Sequence, residues 1–128
     1  MHEVSLLCKI HHPNLSEYIE TYEDSRYVFL IMEYVNGISL DRAILDQPNQ
    51  LFSEKQACNF LKQLLDGVNE AHKKGIIHRC IEPKNIVLYE VDKVKLIDFG
   101  VEKSSKNNNL HAITGTPYYM APEVLEGR

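Results

Sequence analysis

The sequence predicts an α+β fold, and three observations carry that expectation. Apolar runs rich in β-branched and aromatic residues occur in two pairs, 15–22 with 27–35 and 86–89 with 94–97, and read as strands. The stretch 53–74 instead repeats its apolar residues at helical spacing. The 128 residues are 44% hydrophobic and 25% charged, which suits a single core, so one domain or part of one is expected.

Taken in order, Val4, Leu7 and Ile10 lie on one helical face, and His11-His12-Pro13-Asn14 stops that helix. The runs 15–22 and 27–35 flank Glu23-Asp24-Ser25-Arg26 as a hairpin, and the second run, apolar on both faces, is expected to be buried. Asn36-Gly37 reads as a turn, 39–45 as a short helix and 46–50 as a loop. Ser53-Glu54-Lys55-Gln56 is a capping box, after which Ala57, Phe60, Leu61, Leu64, Leu65, Val68 and Ala71 form the apolar stripe of a long helix. Lys73 and Lys74 suit its negative end and Gly75 a left-handed cap, while Cys58 is expected to be an inert core thiol or a neighbour of the core.

Composition narrows the function. A formal net charge of −4 lacks the basic excess of a phosphate-backbone binder, so nucleic acid is not an expected partner. No apolar run approaches the ~18 residues that span a bilayer, and the expectation is a cytoplasmic protein without a membrane partner. Cys8, Cys58 and Cys80 form no CxxC pair, which argues against both a disulfide framework and a thiolate zinc site. Cys8, His11 and His12 fit no common zinc spacing and read as a surface loop, and the sequon Asn14-Leu15-Ser16 reads as chance.

The chemistry concentrates in 76–100, where His78-Arg79, Pro83, Asn85 and Asp98-Phe99-Gly100 follow one another around the second strand pair. With His12-Pro13-Asn14 upstream and Gly115-Thr116-Pro117 through Ala121-Pro122-Glu123 downstream, the chain resembles the eukaryotic-type serine/threonine protein kinases, closest to the calcium/calmodulin-dependent and calcium-dependent groups. The resemblance implies a partial protein-kinase-like fold. Residues 1–35 would be a small-lobe remnant with helix and hairpin, and 36–128 the hinge, long helix, catalytic loop, metal loop and activation segment. The chain would then begin inside the helix bearing Glu3, leaving the family's Gly-rich loop and strand Lys outside it.

What the resemblance implies for the site is specific. ATP would lie with Met32 at the gatekeeper position, Glu33 and Val35 offering backbone groups to the adenine, Ser39 at the ribose and Val87 beneath the base. Asn85 and Asp98 would hold Mg²⁺, for which oxygen donors are suited, while His78 and Phe99 pack behind them. Arg79 would receive a loop phosphate, with Thr114 as a candidate phosphosite rather than Ala112, and Ser104 and Ser105 as ordinary exposed hydroxyls. The remaining partner would be a protein substrate or a regulatory protein.

The catalytic loop departs from the family. Cys80 stands where the family has Asp, Glu82 where it has Lys, and Lys84 where it has Glu. A thiol is mostly protonated at neutral pH and a weak acceptor, and Glu82 beside a transferred phosphate would replace attraction by repulsion, with Thr116 as a shared neighbour of the loop. Lys84, two residues on, is expected to point elsewhere. The expectation is therefore a pseudokinase or partial kinase. An active kinase within a longer chain, or a nucleotide-binding scaffold without transfer, stand as alternatives.

Overall fold

The computed structural model describes residues 8–98 and 116–127. The expected helix through Glu3, the packing of Phe99 beside Gly100, and Ser104, Ser105, Ala112 and Thr114 all lie outside the described residues.

Strands β1 (Tyr18–Glu23) and β2 (Val28–Met32) form the expected antiparallel hairpin, with Tyr18 opposite Met32. Asp24 closes it, its Oδ1 accepting from the amides of Arg26 and Tyr27 at 2.7 Å each. The expected burial of the second strand is not found, because Val28 and Phe29 are 58% and 48% exposed. Among the described residues β1 and β2 pair only with each other, so no third strand extends this sheet. Apolar content here marks a surface suited to being covered, which a sequence run cannot distinguish from one that is covered.

A second sheet has the order β3-β4-β5, antiparallel throughout, from Ile38–Ser39, Ile86–Glu90 and Lys93–Leu96. The central segment thus forms the expected strand pair to within a residue, while β3 occupies the junction between the turn expected at 36–37 and the helix expected from 39. Helices α1 (Leu40–Leu45), α2 (Glu54–Lys73) and the short α3 (Pro122–Leu125) complete the described elements, with single 3₁₀ turns at Pro48–Gln50, Pro83–Asn85 and Pro117–Tyr119.

Helix α2 starts with the predicted capping box, Ser53 and Gln56 each bonding the other's backbone amide at 3.3 Å, and Gly75 follows it at φ 76°. Its stripe through Phe60, Leu64, Gly67, Val68 and Ala71 packs on Leu15, Ile76, Ile86, Val94 and Leu96 to make the core. The apolar stripe is narrower than the sequence suggests, since Leu61 and Leu65 are 56% and 59% exposed. Cys58 is exposed as well, because two residues before Phe60 a helix has turned most of the way to its opposite face.

The segment before β1 is threaded into this core. Leu96 donates its amide to Asn14 O at 2.8 Å and accepts from Ser16 N at 2.9 Å, so Leu15 lies buried between them. The Asn14 amide donates to Gln63 Oε1 at 2.9 Å and to Val94 O at 2.8 Å. With both Nδ2 hydrogens engaged in a buried position, Asn14 has none left for a glycan.

Gly37 is required by a close approach rather than by a turn conformation. A Cβ built there would lie 2.3 Å from Leu88 O and 2.7 Å from Val87 Cγ1. Gly67 differs, since its Cβ would crowd only a side chain, Leu15 at 3.0 Å from Cδ2 and 3.2 Å from Cγ, with Asn14 O at an ordinary contact distance of 3.5 Å. Gly37→Ala is expected to cost about 1–3 kcal/mol by forcing the hinge off β4, whereas Gly67→Ala, which gains about 0.5–1 kcal/mol of helix propensity, should cost far less. Urea midpoints of the two variants measure the difference, and equal losses would contradict the assigned contact.

Candidate active site

The pairing of β3 with β4 brings together residues far apart in sequence. Ser39 lies opposite Val87, and Val87 opposite Lys95, so the expected ribose and base contacts are neighbours across the ladder. Lys95 reaches the segment after β2, where its Nζ bonds both carboxylate oxygens of Glu33 at 2.6 and 2.8 Å. Glu33 is further tied to the hairpin, its amide donating to Glu17 O at 2.8 Å and its Oε2 accepting from Glu17 N at 3.1 Å. Partial burial opposes ionisation of Glu33, but the bonds from Lys95 and Glu17 and the Lys95 charge outweigh it and hold the carboxyl below its ordinary pKa.

The Glu33 amide is therefore already engaged, whereas Val35, two residues on, makes no backbone hydrogen bond among the described residues. Ser39 precedes α1 without capping it, and its hydroxyl bonds Asp41, the main reason that carboxyl lies below its usual range. Met32 ends β2, half-buried. Lys95 itself escaped the sequence reading. The signal was available in Lys93-Val94-Lys95-Leu96, where strand alternation sends the lysines and the core residues to opposite faces.

On the loop side, His78 is the buried post. Its Nε2 bonds Ile97 O at 3.0 Å and its Nδ1 accepts from the Cys80 amide at 3.2 Å, which fixes a neutral imidazole with the proton on Nε2. Burial, which disfavours the cation, keeps its pKa below the ordinary value. Ile97 also donates its amide to Asn85 O at 2.8 Å, so Asp98 follows directly on a residue fixed to both His78 and Asn85. Arg79 and Asp98 adopt positive φ of 65° and 54°, a conformation uncommon outside glycine and frequent at functional loops.

Asn85 is buried and donates its amide to Cys80 O at 3.0 Å and to Cys80 Sγ at 3.2 Å. Those bonds orient its side chain, directing the amide oxygen away from Cys80. The thiol in turn donates to Glu82 Oε1 at 3.0 Å, and this bond is the chief reason that its pKa is raised, ahead of burial and the Glu82 charge.

Glu82 departs from expectation. It is 4% exposed, and the same Oε1 accepts from Lys84 Nζ at 2.8 Å, while Thr116 also bonds the carboxylate. Cys80 first, then Lys84 and Thr116, bring its pKa down to about 2. Lys84 was expected to point elsewhere. The 3₁₀ turn at Pro83–Asn85 brings residues 82 and 84 to one side, which an extended reading of the loop would separate.

Because the native carboxyl titrates near 2 and an unfolded one near 4.5, the unfolded state binds more protons between those values and stability falls as pH falls through them. The advantage of the natural chain over Glu82→Gln should be complete above about pH 5 and fade toward pH 2. Denaturant titrations of both proteins across that range check it, and a pH-independent difference would contradict the ion pair.

The protein kinase domain profile matches residues 1–128. The chain is 36% identical over 126 residues to calcium/calmodulin-dependent protein kinase type 1 of Macrobrachium nipponense, covering 96% of this chain and 36% of that protein. It is 40% identical over 126 residues to the serine/threonine-protein kinase Nek3 of Mus musculus, covering 97% of this chain and 25% of that protein. Its structure matches the crystal structure of Rad53 1-466 in complex with AMP-PNP at a TM-score of 0.80 and 28% identity, over 98% of this chain and 31% of that one. The chain thus spans between a quarter and about a third of the length of these relatives.

Proposed function

The chain belongs to the protein kinase domain family, and from that premise we propose that it is the nucleotide-holding segment of a serine/threonine-kinase-like protein in which residue 80 no longer accepts the substrate proton. One observation carries this reading: the Cys80 thiol gives its hydrogen to Glu82 at 3.0 Å, so the side chain in the family's acceptor position acts as a donor. In that narrow sense the protein is a pseudokinase.

ATP lies in this reading between the Val35 backbone, Ser39 and Val87, with Met32 at the rear and Lys95 fixing the hinge through Glu33. The complex of Rad53 with AMP-PNP supports an adenine nucleotide as the ligand. For Mg²⁺ the donor set fits. Asp98 supplies a carboxylate, and Asn85 has its amide nitrogen committed to Cys80, which leaves its oxygen as the metal donor. Among the described residues no group of three or more His, Cys, Asp and Glu gathers, so the nucleotide's own phosphate oxygens would complete the coordination. Bound there, the ion would neutralise phosphate charge.

The protein partner would be a substrate or a regulatory protein approaching from the Thr116 side. Among the described residues no helix is long and apolar enough to cross a membrane, and a cytoplasmic location fits this reading. A second reading, an active transferase within a longer polypeptide, is favoured by the carboxylate that now stands beside residue 80 and belongs to Glu82.

Titration calorimetry of a non-hydrolysable ATP analogue, with and without Mg²⁺, tests the reading in the full natural polypeptide that contains these residues. Asp98→Asn should remove most of the Mg²⁺-dependent gain, about tenfold or 1.4 kcal/mol in affinity, and leave adenosine binding unchanged. Failure of any adenine nucleotide to saturate the protein would exclude the proposed platform.

A further inference from the structure

We propose that Glu82 and Lys84 replace the family's missing acceptor and phosphate-binding groups, so that the proton of a substrate hydroxyl goes to Glu82 and the transferred phosphate is met by Lys84. This rests on the nucleotide reading above and adds the transfer chemistry to it. Glu82 Oε1 lies 3.0 Å from Cys80 Sγ, so a carboxylate stands directly beside the side chain where the family pattern has one. Asn85 also bonds that thiol, at 3.2 Å, which keeps the carboxylate, the thiol and the candidate metal ligand within one connected group.

The second step is charge. The family pattern joins a carboxylate, an ammonium and a threonine at the point of transfer, and Glu82, Lys84 and Thr116 supply the same three groups here. Lys84 Nζ is 2.8 Å from Glu82 Oε1, so the charge exchange along the sequence does not separate the groups in space. The third step is access. Glu82 is buried, but one of the groups covering it is the Lys84 side chain, which is 58% exposed. When Lys84 turns to an incoming phosphate, Oε1 loses its closest partner and becomes available to a hydroxyl.

The reaction then balances without another reagent. The oxygen of a substrate serine or threonine forms a bond to the γ-phosphorus of ATP as its proton passes to Glu82 Oε1. The bond between that phosphorus and the β,γ-bridging oxygen breaks, its electron pair leaving on ADP, and Glu82 afterwards returns the proton to water. Cys80 keeps its hydrogen throughout.

The test is phosphate transfer to a serine/threonine peptide by the full natural polypeptide, together with analogue affinity for every variant. The natural sequence should turn over. Glu82→Gln should lower kcat at least a thousandfold, with analogue affinity held within about threefold, and Glu82→Asp should recover part of that loss. Lys84→Met should lower kcat about a hundredfold, and Cys80→Ala no more than about tenfold. Nucleotide binding without any transfer by the natural sequence overturns this inference and leaves the nucleotide platform standing, whereas absence of binding removes both. A Cys80→Ala loss larger than that of Glu82→Gln would return the chemistry to residue 80 and overturn the assignment.

Discussion

Strand β5 alternates Val94 and Leu96, which have no exposed surface, with Lys93 and Lys95, Ile97 follows it, and the rest of the described structure depends on this alternation. The inward pair receives α2 and Leu15, and the backbone of Leu96 holds the segment from Asn14 to Ser16 on both sides. Lys95 and Ile97 serve the site. Lys95 fixes Glu33 and so the hinge, and the backbone of Ile97 fixes His78 and Asn85. A shift of one residue in the pairing of β5 with β4 would exchange the two faces, turning the lysines into the core and freeing the hinge. The core and the candidate nucleotide site are thus two sides of a single strand register.

That coupling explains why the site is built from such distant parts of the chain. Glu33, Ser39, Val87 and Lys95 come from the segment after β2 and from three strands, yet ladder pairing and one ion pair hold them in a fixed order. Gly37 contributes by having no side chain, since the hinge lies against β4 at a separation that a Cβ would prevent. Loops placed this way need little rigidity of their own, because their geometry comes from the elements at their ends.

Much of this was legible in the sequence where one local rule was sufficient. The α2 capping box, Gly75, the hairpin and the strand pair around residue 90 depend on neighbours in sequence, and each forms as those neighbours dictate. What was missed depends on tertiary context. The β2 apolar run does not reveal that Val28, Phe29 and Ile31 stay exposed, and the α2 stripe does not reveal the same of Leu61 and Leu65. The motif residues Cys80, Glu82 and Asn85 were legible as a departure from a family pattern, but their connection was not, because a 3₁₀ turn rather than an extended loop joins them. Lys95 was passed over because a lysine in a strand ordinarily faces solvent, and its partner lies 62 residues away.

The exchanged charges at 82 and 84 show how a reading by position differs from a reading by space. Position by position, each substitution reverses a charge, and the pair looks like two defects. Summed over the turn, the family's positive and negative groups and this chain's negative and positive groups give the same net charge. A buried carboxylate is costly unless an opposite charge and hydrogen bonds accompany it. Glu82 has an ammonium, a thiol and a hydroxyl around it, and its depressed pKa follows from those partners. Cys80 fits the same balance, because a second carboxylate at that position would lie within about 3 Å of the first and one of the two would have to take up a proton. A neutral donor at residue 80 is therefore what a carboxylate at residue 82 requires, and the two departures from the family pattern are parts of one electrostatic solution.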